Sequence, residues 1–533
     1  MESESGESGA PSLYGTLEPF AERSVYFVVT DRFVNGDETN DQPDQGGEYR
    51  TFDIPLPECD GVTANIGYLG GDFRGLADNA AYIAEMGFGA VWITPVVDNP
   101  NQAFTGGDEI SCDSVLTDHG KTGYHGYWGT NFLSLDEHLP SPDMDFSDLD
   151  RVLEDNGLKL VLDIVGNHSS PGWTMPEKQP GFGQVFSADG ELLADHGNLP
   201  PAELDPQGDP RHAWYNNEPG LAQLADFDTD NPDVVDYLVE AYLHWIDQGA
   251  DAFRIDTIPY APHRFWKTVT DRIRAEHPGF FMFAEAFDYD PAVIAEHTLP
   301  ENGGVSVLDF PMRRTMQEVF ENPDSDYAEL ADALMLEDNP YHNAYELATF
   351  YDNHDMARID ASDSGFIDAN NWLFTARGIP VVYYGSETGF MRGRAEHAGN
   401  RNYFGRDRIE QARGNPIRES LRRIATIRAE SVALQKGVQL MLELEGHRAA
   451  FYRVFQHEDI RQIVLVMLNK GDAPETFEIA SGLQAGTWRS ALDEETIDIV
   501  PGQTLVHEVP AHGVAVFMLD AAVTNSELLA MLQ

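Results

Sequence analysis

Short runs of apolar residues, separated by segments that mostly show a helical period, recur along much of this chain. Such an alternation is typical of a parallel sheet that helices cover on both faces. Eight strands over roughly 400 residues fit a closed (β/α)8 barrel better than an open sheet. The predicted strands are 25–31, 89–95, 160–165, 252–256, 280–285, 305–310, 348–352 and 379–384, and the predicted helices are 76–86, 146–156, 232–248, 263–277 and 417–434.

Two parts of the chain depart from this alternation. Between His168 and Asp226 the sequence is rich in Pro, Gly, Asp and aromatic residues without a helical period, which predicts an inserted lobe. After about Val438, short strands separated by turn residues predict an antiparallel β domain. The predicted fold is therefore α/β, a (β/α)8 TIM barrel with a lobe after strand 3 and a C-terminal antiparallel β-sandwich. The predicted boundaries are 1–22 for an acidic, flexible tail, 23–168 and 226–437 for the barrel, 169–225 for the lobe and 438–533 for the β domain.

The charge of the chain limits its partners. Its 34 basic and 90 acidic residues give a net charge of −56, so we expect no nucleic-acid partner, because phosphate contacts need a basic face. No apolar run reaches 18 residues, so we expect no membrane span. High charge also serves solubility, but the scarcity of Lys and the even spread of acids indicate adaptation to high salt, which screens self-repulsion.

The two cysteines, Cys59 and Cys112, allow one pairing. They would form a disulfide in a secreted protein, or stay two unrelated thiols in a cytosolic one. Both lie in loops that follow the first two predicted strands, so a bridge is geometrically plausible. The acidic first nine residues show no signal peptide. We expect a secreted or periplasmic monomer whose signal peptide is not in this sequence.

Polar residues follow several predicted strands at their carboxyl ends, where barrel enzymes have their active sites. Arg254 lies two residues before Asp256, so both side chains share one face of a strand and the guanidinium would keep the carboxylate ionised. This pair alone fits a buried ion pair equally well. Acids that converge on one rim destabilise a fold, so a whole set is hard to explain as scaffold. The set comprises Asp163, Asn167, His168, Arg254, Asp256, Glu285, Asn353, His354, Asp355 and Arg358.

Four of these segments resemble, in order and spacing, signature regions of the α-amylase family of glycoside hydrolases (glycoside hydrolase family 13). They are 163–168, 253–256, 283–285 and 351–355. Further matches are 87–95, 224–228 and 378–387, and 124–128 is similar to that family's aromatic substrate platform. The resemblance covers about residues 23–520, and as a set the motifs are specific.

The resemblance implies retaining cleavage of α-glucosidic bonds. By it, Asp256 is the nucleophile, Glu285 is the general acid and base, and Asp355 holds sugar hydroxyls in the transition state. The chemistry agrees independently, because retention needs two carboxyl groups about 5–5.5 Å apart and neighbouring strand ends lie ~4.8 Å apart. The expected substrate is an α-glucan or malto-oligosaccharide.

The resemblance also implies a set of substrate-binding residues. His168 and His354 would hydrogen-bond the sugar, and Tyr127 would stack on its apolar face, although Tyr127 and Trp128 on their own fit a core position better. The full set is His125, Tyr127, Trp128, Asp163, His168, Arg254, Tyr260, His354 and Arg358.

Two calcium sites are expected. The loop 35–41 places side-chain oxygens at i, i+2, i+5 and i+6, which suits Ca²⁺, although an acidic surface turn is a serious alternative in this chain. With the segment 70–72 it resembles a calcium site of amylases related to cyclodextrin glucanotransferases. Its ligands would be Asn35, Asp37, Asn40, Asp41, Gly70 and Asp72; a second site, also by resemblance, would use Asn167, Asp226 and the carbonyl of Tyr260.

The exact specificity stays open. The family often carries Lys–His three and four residues after the nucleophile, where this chain has Pro259–Tyr260. The main interpretation is an endo-acting α-amylase that cuts α-1,4 bonds of starch. The alternatives are a transglycosylating or exo-acting enzyme, and a non-catalytic carbohydrate-binding barrel, which the presence of all three acids disfavours. The sequence given is too short for the extra C-terminal domains of cyclodextrin-forming relatives, which counts against that variant.

Overall fold

Eight parallel strands form a barrel in this computed structural model, which describes residues 13–42, 51–59, 61–112, 117–337, 339–493 and 495–533. Each strand is short and its side chains are buried on both faces, as near-continuous apolar runs require. The strands are β1 (Val25–Val28), β2 (Ala90–Ile93), β3 (Lys159–Val165), β4 (Ala252–Asp256), β5 (Phe281–Ala284), β6 (Ser306–Val307), β7 (Ala348–Thr349) and β8 (Ile379–Tyr383).

The strands follow one another in space as β6–β5–β4–β3–β2–β1–β8–β7. A parallel bridge between Leu308 and Ala348 joins β6 to β7, and the amide of Asp309 donates to the carbonyl of Ala348 at 2.9 Å. These contacts close the sheet into a barrel, so the predicted barrel is confirmed.

The strand register brings the predicted site residues to one level. Arg254 on β4 is paired with Asp163 on β3, and Ile255 is paired with Ala284 on β5. Asp256 and Glu285, the next residues on these two strands, therefore leave the barrel side by side.

Helices cover the outside of the barrel. Pro232–Asp247 begins with Pro at its first position, and the side chain of Asn231 caps it by accepting from the amide of Asp233. The longer helices are Phe146–Asp155, Pro232–Asp247, His263–Glu276, Phe310–Glu321, Asp363–Thr375, Gly405–Ala412 and Pro416–Ala429, and the short ones are Thr30–Phe33, Phe73–Asp78, Ala80–Glu85, Pro291–Ala295, Ala331–Leu334, Val432–Lys436 and Ser526–Met531. None of the described helices is long and apolar enough to span a membrane.

Several predicted elements have different bounds. Strand 6 was predicted to run to 310 but ends at Val307, because Asp309 accepts from the amide of Met312 and caps the helix that begins at Phe310. The predicted helix 417–434 is two helices, since the hydroxyl of Ser431 accepts from the amide of Leu434 and starts a new one. Local capping outweighs the apolar periodicity at both points.

The segment between β3 and the helix at Pro232 contains two small antiparallel pairs. His168–Pro171 pairs with Leu224–Asp226 at the base, and Gln184–Phe186 pairs with Leu192–Asp195. The first of these strand pairs begins at His168, just after β3, and ends at Asp226. The inserted segment therefore stands at the carboxyl end of the barrel, over the predicted site.

The C-terminal domain is antiparallel, as predicted. Its strands are β9 (Val438–Glu445), β10 (Arg448–His457), β11 (Ile460–Asn469), β12 (Glu475–Ile479), β13 (Gly486–Ser490), β14 (Thr496–Ile499), β15 (Leu505–Val509) and β16 (Gly513–Leu519). The order β9–β10–β11–β16–β13–β14 makes one sheet, and β12 pairs with β15. Fully buried Arg453 donates to the carbonyls of Thr375 and Ala376 at 2.8 and 2.7 Å, which ties this domain to the barrel.

The cysteine pair agrees with the disulfide alternative, whereas part of the predicted flexible tail is ordered. Cys59 and Cys112 form a disulfide with their Cα atoms 5.9 Å apart. The flexible tail was predicted for residues 1–22, of which 1–12 lie outside the described residues, but residues 13–22 are ordered by packing. Leu13 is buried among β-domain side chains, and its carbonyl accepts from the amide of Gln456 at 2.6 Å.

Candidate active site

One buried arginine organises the carboxyl end of the barrel. Nη1 of Arg254 donates to both carboxylate oxygens of Asp163 at 2.9 and 3.0 Å and to Oδ1 of Asp256 at 2.8 Å. Nη2 lies 2.9 Å from Oε2 of Glu285. Burial alone would lower the pKa of Arg254, but the surrounding acids raise it well above its ordinary value. A single cation thus compensates three buried acids.

Asp256 ends β4 and is held from two sides. Its second oxygen, Oδ2, accepts from the hydroxyl of Thr257 at 3.0 Å. Thr257 has φ = 47°, in the left-handed region that non-glycine residues seldom adopt. In this conformation its amide also lies 3.3 Å from Oε2 of Glu285. The strained turn therefore fixes both carboxylates, and strain of this kind is typical of functional sites.

Glu285 is set apart from Asp256 by its surroundings. Burial raises the pKa of Glu285 to about 8; Arg254 opposes the rise, while the charges of Asp256 and Asp355 add to it. Glu285 is therefore mostly protonated at neutral pH and can donate a proton. An ionised carboxylate beside a protonated one is the pairing that acid-assisted nucleophilic displacement requires.

Asp355 reaches the site from the loop that follows β7. Nη2 of Arg401 donates to its Oδ1 at 2.6 Å, and Nε2 of His354 lies 3.3 Å from Oδ2. The Asp355 side chain keeps 28% of its surface exposed, so it can still contact a bound molecule.

Tyr127 closes the floor of the site. Its hydroxyl donates to Oδ2 of Asp163 at 2.8 Å, and its ring stacks on His354 with the ring centres 5.3 Å apart. His125 stacks on the other side of the tyrosine at 5.7 Å. Burial lowers the pKa of both His168 and His354, so both imidazoles are neutral hydrogen-bonding groups.

Two of the predicted substrate-binding residues, Trp128 and Arg358, lie away from the site. Trp128 is buried with Phe104 and Phe182 in a small apolar cluster, as the core alternative required. Arg358 is 1% exposed and donates to the carbonyls of Tyr384 and Asn400, so it braces loops and does not line the rim. Tyr260 lies on the turn after Asp256 with 53% of its surface exposed.

Several residues at the site were not predicted. Trp92 donates from its indole to Asp163 at 3.0 Å. Thr257 donates to both Asp256 and Glu285, and Arg401 donates to Asp355. Trp92 could have been found, because it lies on β2 facing the barrel interior. Arg401 follows no strand or motif, and no sequence signal connects it with Asp355.

The predicted first calcium loop gathers part of its ligand set. The side-chain amide nitrogen of Asn35 donates to Oδ1 of Asp41 at 2.7 Å. The side-chain oxygens of Asn35 and Asn40 are buried without a hydrogen-bond partner. Gly70 packs so closely against Asn35 and Asp41 that a Cβ atom would collide with both. These orphaned oxygens fit a hard cation.

Two other proposed ligands of this loop are already engaged. Both oxygens of Asp72 accept from backbone amides, those of Gly36 and Asp37, at 3.0 and 2.8 Å. The side chain of Asp37 accepts from Thr39 at 2.6 Å. Among the described residues, no group of three or more His, Cys, Asp or Glu side chains is arranged to hold a metal ion, so any such site would combine at most two of these side chains with amide or carbonyl oxygens.

The residues of the second proposed site line one cavity of about 290 Å³. The side-chain amide nitrogen of Asn167 donates to Oδ1 of Asp226 at 3.0 Å, and Tyr260 lines the same cavity. Burial raises the pKa of Asp226 to about 6. A buried carboxylate that lacks a cationic partner also fits a cation.

Comparison with known proteins agrees with this geometry. The family model "Alpha amylase, catalytic domain" matches residues 27–421. A cyclomaltodextrin glucanotransferase of Bacillus sp. (strain 1-1) is 25% identical over 521 residues, which are 94% of this chain and 68% of that protein. The structure of CldA, described as the first cyclomaltodextrin glucanotransferase with a three-domain ABC distribution, matches with a TM-score of 0.74 and 26% identity over 94% of this chain and 99% of its own. An Anoxybacillus α-amylase matches in fold, with a TM-score of 0.70 and 23% identity over 95% and 99% of the two chains.

We expect Glu285 to titrate near pH 8. In protein labelled with ¹³C at the glutamate carboxyl carbon, one resonance should shift with a midpoint of about 8, far above that of exposed glutamates (~4.3). This resonance should be missing in Glu285→Gln and present in Glu276→Gln, which alters a residue at the end of a surface helix. A Glu285 resonance with a midpoint near 4 would contradict the assignment.

Proposed function

Because the chain belongs to the alpha-amylase family of glycoside hydrolases and transferases, we propose that it cleaves α-1,4-glucosidic bonds of starch and malto-oligosaccharides with retention of configuration. The observation that carries the proposal is the placement of Asp256 and Glu285 at matching ends of neighbouring strands, on opposite nitrogens of one guanidinium. That placement suits the separation of about 5–5.5 Å that a retaining enzyme needs.

In the first step, a carboxylate oxygen of Asp256 attacks the anomeric carbon while Glu285 gives its proton to the departing glycosidic oxygen. The bond to the leaving chain breaks and a covalent glycosyl-enzyme forms. In the second step, Glu285 takes a proton from water, the water oxygen attacks the same carbon, and Asp256 leaves. Because the first step requires protonated Glu285, activity falls as the pH rises through about 8.

The other residues orient the sugar and stabilise its charge. Arg254 donates to Oδ1 of Asp256 and fixes the direction of its carboxylate. Asp355, partly exposed, accepts hydrogen bonds from sugar hydroxyls. The neutral imidazoles of His168 and His354 offer further hydrogen bonds, and Tyr127 presents an apolar ring. Hydrogen bonds that strengthen in an oxocarbenium-like transition state supply part of the rate increase.

A second candidate function is transfer of the glycosyl group to another sugar. The same intermediate serves both reactions, and only the acceptor differs. Tyr260 and Phe287, four residues after Asp256 and two after Glu285, are exposed by 53% and 50%. Such rings would hold an acceptor sugar more readily than water. The length of the chain does not oppose this function, because the CldA structure, a glucanotransferase, is matched over 99% of its length.

We also propose that both calcium sites bind Ca²⁺ as structural sites. Asn35, Asn40, Asp41 and Gly70 would hold one ion. Asn167, Asp226 and the carbonyl of Tyr260 would hold the other, joining the inserted segment to the barrel. Bound calcium would neutralise local negative charge there and stabilise the loops that carry the site.

The setting in which the protein works is a further proposal. A disulfide between Cys59 and Cys112 supports an oxidising compartment, and the net charge of −56 supports high salt. We propose a secreted or periplasmic monomer.

The function is tested by resolving the products of maltoheptaose over time. We expect the protein to cleave it, and Asp256→Asn to lower kcat roughly 10⁴-fold or more, because the nucleophile is lost. Asp247→Asn, the same change at an exposed helix end, should leave kcat unaltered.

The product pattern separates the alternatives. Early products of many lengths indicate endo hydrolysis, a single short product indicates exo action, and chains longer than seven glucose units or cyclic products indicate transfer. Equal activity of Asp256→Asn and the unaltered protein would refute the nucleophile assignment, and lack of cleavage by the unaltered protein would refute the proposed function.

The calcium proposal is tested by thermal unfolding. Chelation should lower the melting temperature and added Ca²⁺ should restore it, because an ion that binds only the folded state stabilises that state. Asp41→Asn and Asp226→Asn should each reduce this shift, whereas Asp205→Asn, at an exposed position in the inserted segment, should not. A melting temperature that chelation leaves unchanged would rule out both sites.

A further inference from the structure

Hydrogen bonds from a second segment, 396–401, hold the loop that carries Asp355. Arg401 donates from Nη2 to the Asp355 carboxylate at 2.6 Å and from Nε to the carbonyl of His354 at 2.9 Å. Asn400 donates to the carbonyl of Asn353 at 2.9 Å and also to that of Met356. Since β7 ends at Thr349, no strand ladder holds this loop, and these contacts take its place.

Segment 396–401 has an unusual backbone. Glu396–Asn400 forms one irregular helical turn, which is interrupted at Gly399. Gly399 has φ = 128° inside this turn, a conformation that only glycine adopts readily. From this turn, Asn400 and Arg401 contact the loop of Asp355, and Glu396 contacts Lys121 in the loop before Tyr127.

A chain of buried charges runs from this segment to the loop before Tyr127. Oε1 of Glu396 lies 3.0 Å from Nη1 of Arg401 and 3.0 Å from Nζ of Lys121. Lys121 is in turn 2.7 Å from Asp118. Lys121, Glu396 and Arg401 are only 3%, 5% and 8% exposed.

The charges of Lys121, Glu396 and Arg401 depend on one another. Burial would raise the pKa of Glu396, but Arg401 and Lys121 hold it well below its ordinary value. Without Lys121, Glu396 would keep Arg401 as its single close cation and draw it away from Asp355. A buried carboxylate that loses one of its partners is costly, so Arg401 is the group that would shift to compensate.

We propose that Lys121 is a positioning residue that fixes Asp355 for catalysis by holding Glu396 and, through it, Arg401. This inference rests on the proposed function, in which Asp355 contacts the sugar. Three successive ion pairs, Lys121–Glu396, Glu396–Arg401 and Arg401–Asp355, connect Lys121 with the Asp355 carboxylate. It also stands four residues before His125, so it links the aromatic floor of the site to the loop of Asp355.

The test compares Lys121→Met with Lys436→Met. Lys436 is also a mostly buried lysine, 2.6 Å from Glu22, but it lies at the opposite end of the barrel. With maltoheptaose, Lys121→Met should lower kcat about 10–100-fold, since small displacements of a positioned group cost up to ~100-fold, with a smaller change in KM. Lys436→Met should keep kcat within about twofold. Unaltered kcat in Lys121→Met would overturn the proposal.

A double-mutant cycle separates positioning from general destabilisation. If Lys121 acts through Asp355, then Lys121→Met should cause no further loss of kcat in an Asp355→Asn background, because effects that share one path are not additive. If Lys121→Met lowers kcat equally in the unaltered protein and in the Asp355→Asn background, and all variants are folded, the proposal is contradicted.

Hydrogen exchange tests the same idea without any turnover. Peptides from residues 350–358 should exchange faster in Lys121→Met and at the original rate in Lys436→Met. Unchanged exchange in Lys121→Met would overturn the positioning role. If the unaltered protein fails to cleave any α-glucan, the proposed function fails, while the exchange result still decides whether Lys121 holds the loop.

Discussion

The buried guanidinium of Arg254 is the interaction on which the rest of the site depends. In a chain with a net charge of −56, three acids meet at one end of a barrel and one side chain compensates them. Arg254 spans β3, β4 and the end of β5 through Asp163, Asp256 and Glu285. Without it the acids would repel one another in a desolvated place, and an acid other than Glu285 would also have to take up a proton. The same contacts that stabilise the barrel therefore determine its chemistry.

The two proposed catalytic acids share Arg254 and Thr257 as partners but differ in the contacts they receive. Asp256 accepts hydrogen bonds from Nη1 of Arg254 and from the hydroxyl of Thr257. Glu285 lies near Nη2 of Arg254 and the amide of Thr257, and burial together with the charges of Asp256 and Asp355 raises its pKa. The third acid, Asp355, depends on a different arginine in a different segment. Strands thus fix two acids directly, and a network of loop residues fixes the third.

The sequence predicted those parts of the site that follow from strand order. Asp163, Arg254, Asp256 and Glu285 come at the ends of apolar strands, and parallel strands bring their carboxyl ends together, so their meeting could be expected. The barrel and the antiparallel domain follow from the pattern of strands in the same way, whereas the sequence left Cys59 and Cys112 open between a disulfide and two thiols. Asp355, farther from its strand, was identified through the motif around it.

The remaining residues have no such pattern. Arg401 and Lys121 come from loops, and their contacts depend on how the chain turns between elements. Arg358, which was expected to bind substrate, donates to loop carbonyls instead. Trp128 follows Tyr127 directly, yet it turns into an apolar cluster. Helix Asp363–Thr375 was missed because it is buried on nearly all sides and includes polar residues, which hides the usual periodicity.

In the proposed mechanism Asp256 forms a covalent bond with the sugar, and this intermediate can be trapped. In Glu285→Gln the second step lacks its base, so an α-maltosyl fluoride, whose leaving group needs no acid, should label the protein. We expect one added maltosyl mass, located by peptide mapping on Asp256. Absence of any adduct together with release of a product of inverted configuration, or an adduct on another residue, would contradict it.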